Sequence, residues 1–173
     1  DVYLLHNPEY FFSDARKRRP HEPIAALRAE FDDRVRRAFA CLEGEARHGR
    51  IGSYGVSSNT LVVPADDPEA TSLERFWTIA GEVAQPHHFT VVQLPANLCE
   101  GGAILTRNNA GGTQTPLAFA AAHGLAVLVN RPLNAFHRGR LVHRVAPEGT
   151  AANHRAATPA REGVRARAAA PAG

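Results

Sequence analysis

Four short apolar runs recur along this chain, each closing on polar residues: "DVYLLHN", "IGSYGVSSN", "FTVVQLPAN" and "LAVLVNRPLN". Helix-like segments lie between them. The first, from about Ile24 to His48, places Ile24, Leu27, Phe31, Val35, Phe39 and Leu42 at steps of three and four, which makes one apolar stripe that must pack against something. A second segment opens with Thr71 and Glu74 at capping-box spacing and continues through Leu73, Phe76, Trp77, Ile79 and Val83. In the third, Thr115 is the expected N-cap, Pro116 the first helical residue and Gly124 the stop before the next strand.

Strands that read as nearly continuous apolar runs, each followed by a helix, indicate parallel βαβ units with both sheet faces covered. Their ends, taken at His6, Ser57, Gln93 and Asn130, fall roughly 36 to 51 residues apart, compatible with a ~30-residue unit plus loops. A doubly wound sheet also fits this alternation, but it usually carries a Gly-rich phosphate turn, and no GxGxxG or Walker sequence occurs. What does occur is a polar cluster at the end of every strand, where a (β/α)8 barrel builds its active site. The expected fold is therefore α/β: a partial (β/α)8 TIM barrel, a half barrel of about four βα units over residues 1–145. Residues 146–173 are mostly Ala, Arg, Pro and Gly, with Val164 the one large aliphatic residue. Such a tail cannot bury enough apolar surface to offset its ordering entropy, so it is expected to be disordered or weakly helical.

Composition narrows the class. With 44% hydrophobic residues in 173, the chain suits one soluble domain with a sizeable core, and no run is long enough to cross a bilayer. The net charge of +3 is concentrated in Arg16-Lys17-Arg18-Arg19, read as a solvated loop, and in the arginines beyond Gly139. Neither place interleaves aromatics with cations, so nucleic acid is not an expected partner, and without a spanning run neither is a membrane. Cys41 and Cys99 stand alone, without ligand spacing, and read as reduced thiols of a cytoplasmic protein. The chain opens inside a strand and contains no methionine, which leads to the expectation that it is a piece of something longer.

The strand ends supply the residues with chemistry. His6 closes the first strand before Asn7-Pro8, a place where a lone histidine is more often structural than functional. Ser57, Ser58 and Asn59 suit a binding loop and suit a plain turn equally. Gln93 is more informative, because an unpartnered primary amide inside an apolar strand costs on the order of 1–3 kcal/mol. It must be satisfied by neighbours or by a ligand. Asn130 and Arg131 close the fourth strand ahead of Pro132-Leu133.

In this order, "DVYLLHNPE", "YGVSSN", "VVQLPANL" and "LAVLVNRPLNAF" resemble the fourth to seventh strands of the aldo-keto reductase family, over about residues 1–140. That family folds as one (β/α)8 barrel and reduces aldehydes and ketones with NADPH or NADH, without metal. Its tetrad is Asp, Tyr, Lys and His: Tyr is the general acid, Lys and Asp tune it, and His orients the carbonyl. The resemblance matches His6 to the tetrad histidine, and Ser57 and Gln93 to the residues that bind the nicotinamide carboxamide. Ser58 stands where many members have Asn, with Asn59 one place later. Asn130 replaces the tyrosine that stacks on the nicotinamide ring, and an amide offers no aromatic face. Arg131 and Leu133 fall where the family's loop meets the cofactor phosphates.

The tetrad Asp, Tyr and Lys belong to strands ahead of Asp1, and "GRLVHRVAPEGTAANHR" carries no motif of the family's eighth strand. The resemblance thus implies a fragment of an NAD(P)H-dependent oxidoreductase acting on a small-molecule carbonyl substrate, inactive on its own and prone to self-association through its open edges. A non-catalytic, barrel-derived binding or regulatory protein is the alternative, and an unrelated βαβ binding protein a more distant one.

Overall fold

The computed structural model describes residues 1–137 and 140–143. The expected tail, 146–173, lies outside them. Strands β1 (Val2–His6), β2 (Ser53–Ser57), β3 (Phe89–Pro95) and β4 (Ala126–Asn130) form one parallel sheet in the order β1-β2-β3-β4. Each neighbour in space is the next strand in sequence, so among the described residues the order never reverses as a doubly wound sheet requires. β1 and β4 each pair on one side only among the described strands.

Helices fill the crossovers. α1 (Tyr10–Arg18) and α2 (Ile24–Arg47) separate β1 from β2, α3 (Leu73–Val83) precedes β3, and α4 (Gly102–Leu105) and α5 (Pro116–Ala122) precede β4. The stripe on α2 is buried through Leu27, Phe31, Val35 and Phe39, whereas Ile24 at its start is exposed. Phe39 stands at the centre of the core, its ring 5.2 Å from Tyr54 of β2, 5.3 Å from Phe89 of β3 and 6.2 Å from Phe76 of α3. These contacts define a helix-facing side of the sheet.

The stripe continues to Glu43, whose carboxyl is buried at the amino end of the sheet. Its Oε2 accepts from the His88 backbone N–H at 3.0 Å and its Oε1 lies 2.7 Å from His88 Nδ1. Burial opposes ionisation there, yet the two His88 contacts outweigh it and hold the Glu43 carboxyl below the ordinary glutamate value. Burial pushes the Tyr54 phenol upward, and the nearby Glu43 adds to that shift.

Three local expectations change. Arg16-Lys17-Arg18-Arg19 is not a loop: its first three residues form the last turn of α1, where cations complement the helix dipole, and Arg19 caps that turn while pairing with Glu22 and Glu30. α3 is capped by Ser72, whose Oγ accepts from Arg75 N at 3.1 Å, rather than by Thr71. Glu74 does not close a capping box; it accepts from Ala110 N at 2.7 Å. A two-stranded antiparallel ribbon, β5 (Asn134–His137) with β6 (Arg140–His143), follows β4 where no element was expected. The third helix is as expected, with Thr115 Oγ1 accepting from Ala118 N and Gly124 at φ 65°.

β3 carries one irregularity. Tyr54 pairs with Phe89, but Gly55 pairs with Val91, so Thr90 is an extra, exposed residue. Phe89 therefore faces the helices beside Tyr54, while Val91 and Gln93 share the opposite face with Gly55 and Ser57.

Candidate functional site at the carboxyl ends of the strands

The register draws three of the expected residues into one row. His6 pairs with Ser57, and Ser57 with Gln93, so all three stand at one level on the face turned away from α2. Ser57 Oγ donates to Gln93 Oε1 at 2.7 Å. Main-chain bonds carry the ladder past the strand ends: Asn7 N donates to Ser57 O at 2.7 Å, and Ser58 N to Gln93 O at 3.1 Å. Gln93 Nε2 donates to no described residue. The row thus sets a half-buried amide donor beside a fixed hydroxyl that is 1% exposed, a pairing whose donor and lone pairs a primary carboxamide complements.

Asn130 lies one level higher, paired with Pro95 rather than with Gln93. The residue that completes the row is Leu128, paired with Gln93 and 44% exposed. Counting back from the polar end of the fourth run misses it because β3 continues two residues beyond Gln93. Arg131 adopts φ 55° and its guanidinium is held by Glu100 Oε1 at 2.8 Å. Asn97 bridges both, donating to Glu100 Oε2 at 2.7 Å and to Arg131 O at 3.2 Å. Leu133 is exposed beyond them.

Ser58 faces inward. Its hydroxyl is buried against Thr71 Oγ1 at 2.9 Å and Thr60 Oγ1 at 3.4 Å, beneath the loop. Asn59 instead joins two residues that the sequence reading passed over. Its Nδ2 donates to Asn7 Oδ1 at 3.2 Å and to Glu9 Oε1 at 3.3 Å, and its backbone N–H donates to Glu9 Oε1 at 2.9 Å. Glu9 is only 2% exposed, and its Oε2 is buried without a hydrogen-bond partner among the described residues. Leaving such an oxygen unpaired costs about 1–3 kcal/mol. The signal available in the sequence was an acidic residue immediately after the strand-ending Asn-Pro.

Cys41 and Cys99 are both exposed. Among the described residues, no group of three His, Cys, Asp or Glu side chains is arranged to hold a metal ion, and no helix is long and apolar enough to cross a membrane. Comparison with protein-family models, with curated proteins and with solved structures gave no match to this chain.

Proposed function

We propose that this chain is the nicotinamide-facing half of an NADPH- or NADH-dependent aldo-keto reductase, a (β/α)8 barrel enzyme that reduces an aldehyde or ketone. The observation that carries the reading is the row His6, Ser57 and Gln93 at the carboxyl end of an unreversed parallel sheet, in the order that the family's motifs require. Sequential strand order with crossovers of one hand puts the helices on one face, as in a barrel.

The residues present fit a carboxamide. Gln93 Nε2, on a half-buried side chain, would donate to its oxygen, while the Ser57 hydroxyl, 1% exposed and giving its proton to Gln93 Oε1, would need to be uncovered to accept from its amino group. The bound cofactor supplies a hydride to the carbonyl carbon of the substrate. His6, exposed at the edge of the same row, orients the carbonyl oxygen by hydrogen bonding. Leu128 provides apolar contact beside the row, and Asn130 gives no aromatic stack. Arg131, positioned by Glu100, would hold the cofactor phosphates, the part that the family resemblance gives it. Protonation of the carbonyl oxygen requires a tyrosine that this chain does not place at the row, so the chain alone binds rather than turns over.

The test is complementation. The chain is co-expressed with a fragment carrying the first three βα units of an aldo-keto reductase, and cofactor oxidation is followed against aldehyde concentration. Activity that appears only in the mixture and falls with His6→Ala supports the reading. Gln93-dependent cofactor binding without turnover in the mixture would favour a non-catalytic binding or regulatory protein. Turnover by the 173-residue chain alone would overturn the assigned roles.

A further inference from the structure

We infer that Glu9 is a positioning residue for the nicotinamide subsite, acting through Asn59 on the segment that carries Ser57; this rests on the reading under Proposed function and deepens it. Glu9 begins α1 at its N-cap position, where an acidic side chain would ordinarily bond the first backbone N–H groups of the helix. It makes no such bond. Its carboxyl instead reaches across to the next strand's loop, and Oε1 takes both the backbone N–H and the side-chain amide of Asn59, at 2.9 and 3.3 Å.

Two locally unfavourable features converge on this contact. Asn7 is held at φ 47°, in the left-handed region, and its Oδ1 accepts from the same Asn59 amide at 3.2 Å. Glu9 Oε2 is buried with no partner among the described residues. Asn7 also carries the turn from β1 into α1, its carbonyl accepting from Tyr10 N at 3.2 Å, whereas the unpaired Glu9 oxygen belongs to neither element, and strain of this kind persists where the surroundings demand one conformation. What they fix is the segment from Ser57 to Asn59. Thr71 holds it from beneath through Ser58 at 2.9 Å, Glu9 holds it from the side, and the Ser57 hydroxyl is left at 2.7 Å from Gln93. The sequence coupling is thus between the "NPE" after the first strand and the "SSN" after the second.

The experiment titrates NADPH fluorescence against the 173-residue chain and against Glu9→Gln, Glu9→Ala and Gln93→Ala, with thermal melts of each. Glu9→Ala is expected to weaken NADPH binding roughly tenfold, the factor for losing one or two hydrogen bonds at the site. Glu9→Gln keeps an acceptor for the Asn59 N–H and is expected to stay within about twofold of the parent. Should Glu9→Ala lose its cooperative melt, Glu9→Asp, one methylene shorter, decides in its place with the same expected weakening. Parent binding that depends on Gln93 but not on Glu9 overturns this inference alone, as does a lowered melting temperature with unchanged NADPH affinity. Equal weakening by Glu9→Gln and Glu9→Ala also overturns it. A parent chain that binds no NADPH overturns the functional reading, and the inference with it.

Discussion

Ser57 donates its hydroxyl proton to the side-chain oxygen of Gln93 at 2.7 Å, joining β2 to β3 through side chains at the level where their backbones also pair. Ser57 is buried and Gln93 half-buried, so the bond contributes to the fold whatever the site binds. A double-mutant cycle of Ser57→Ala and Gln93→Ala, read by urea unfolding, is expected to give a coupling of about 0.5–1.5 kcal/mol. Additive losses would mean that the two side chains act independently.

His6 and Gln93 occupy the same row but are assigned different work. In the complemented enzyme, His6→Ala should lower kcat more than cofactor affinity, because positioning a carbonyl matters in the transition state. Gln93→Ala should weaken cofactor binding first, by roughly three- to tenfold for one neutral hydrogen bond. Steady-state kinetics with direct cofactor titration separates the two, and equal effects on affinity would count against the division of roles.

Glu43 gives the fold an acid-sensitive joint. Its carboxyl titrates below the ordinary 4.5 because the His88 contacts outweigh burial, so its stabilisation is fully present above about 4.5 and is lost as pH falls through the lowered value. Thermal melts of the parent and Glu43→Gln should therefore differ most from near neutral pH down to about 4.5, begin to approach each other there and converge once the pH is below the lowered value. His87, pushed below 6.5 chiefly by burial against the opposing pull of Glu43, costs stability as pH falls through 6.5, and Glu43→Gln removes that pull, so the variant loses somewhat more there.

β1 and β4 expose Val2, Tyr3, Leu128 and Val129 along edges that, among the described residues, pair on one side only. Unprotected parallel edges with apolar side chains invite further strands. Sedimentation of the isolated chain at micromolar concentration is expected to show self-association, reduced by Tyr3→Lys with Val129→Lys. A monomer in both cases would indicate that the edges are protected.

The parallel sheet was legible because each strand is a short run bounded by polar residues, and α2 because Leu27, Phe31, Val35 and Phe39 repeat at helical spacing. α1 was not. Its "YFFSDARKR" buries just Phe12 and Ala15 and ends in cations that read as a solvated loop when the dipole they complement is unseen. Thr71 outranked Ser72 as a cap on motif spacing alone; in the fold Thr71 is taken by Ser58 and Thr60, and Glu74 by the Ala110 amide thirty-six residues away. The same non-local character hid Glu9. A lone acid after Asn-Pro says nothing of Asn59 fifty residues on, and only the strand register brings them together.

Thr90 separates two periodicities within one strand. Counted by twos from Phe89, alternation would place Phe89 and Gln93 on the same face, and the core ring and the site amide would compete for it. The surplus residue removes that conflict, since three steps on β2, from Tyr54 to Ser57, match four on β3, from Phe89 to Gln93. A chain lacking Thr90 would match three steps with three, with Phe89 still against Phe39 and Gln93 still beside Ser57. The strand thus has a length it can shed without re-aiming either end, and relatives of this chain shorter by one residue there would keep both the core and the row.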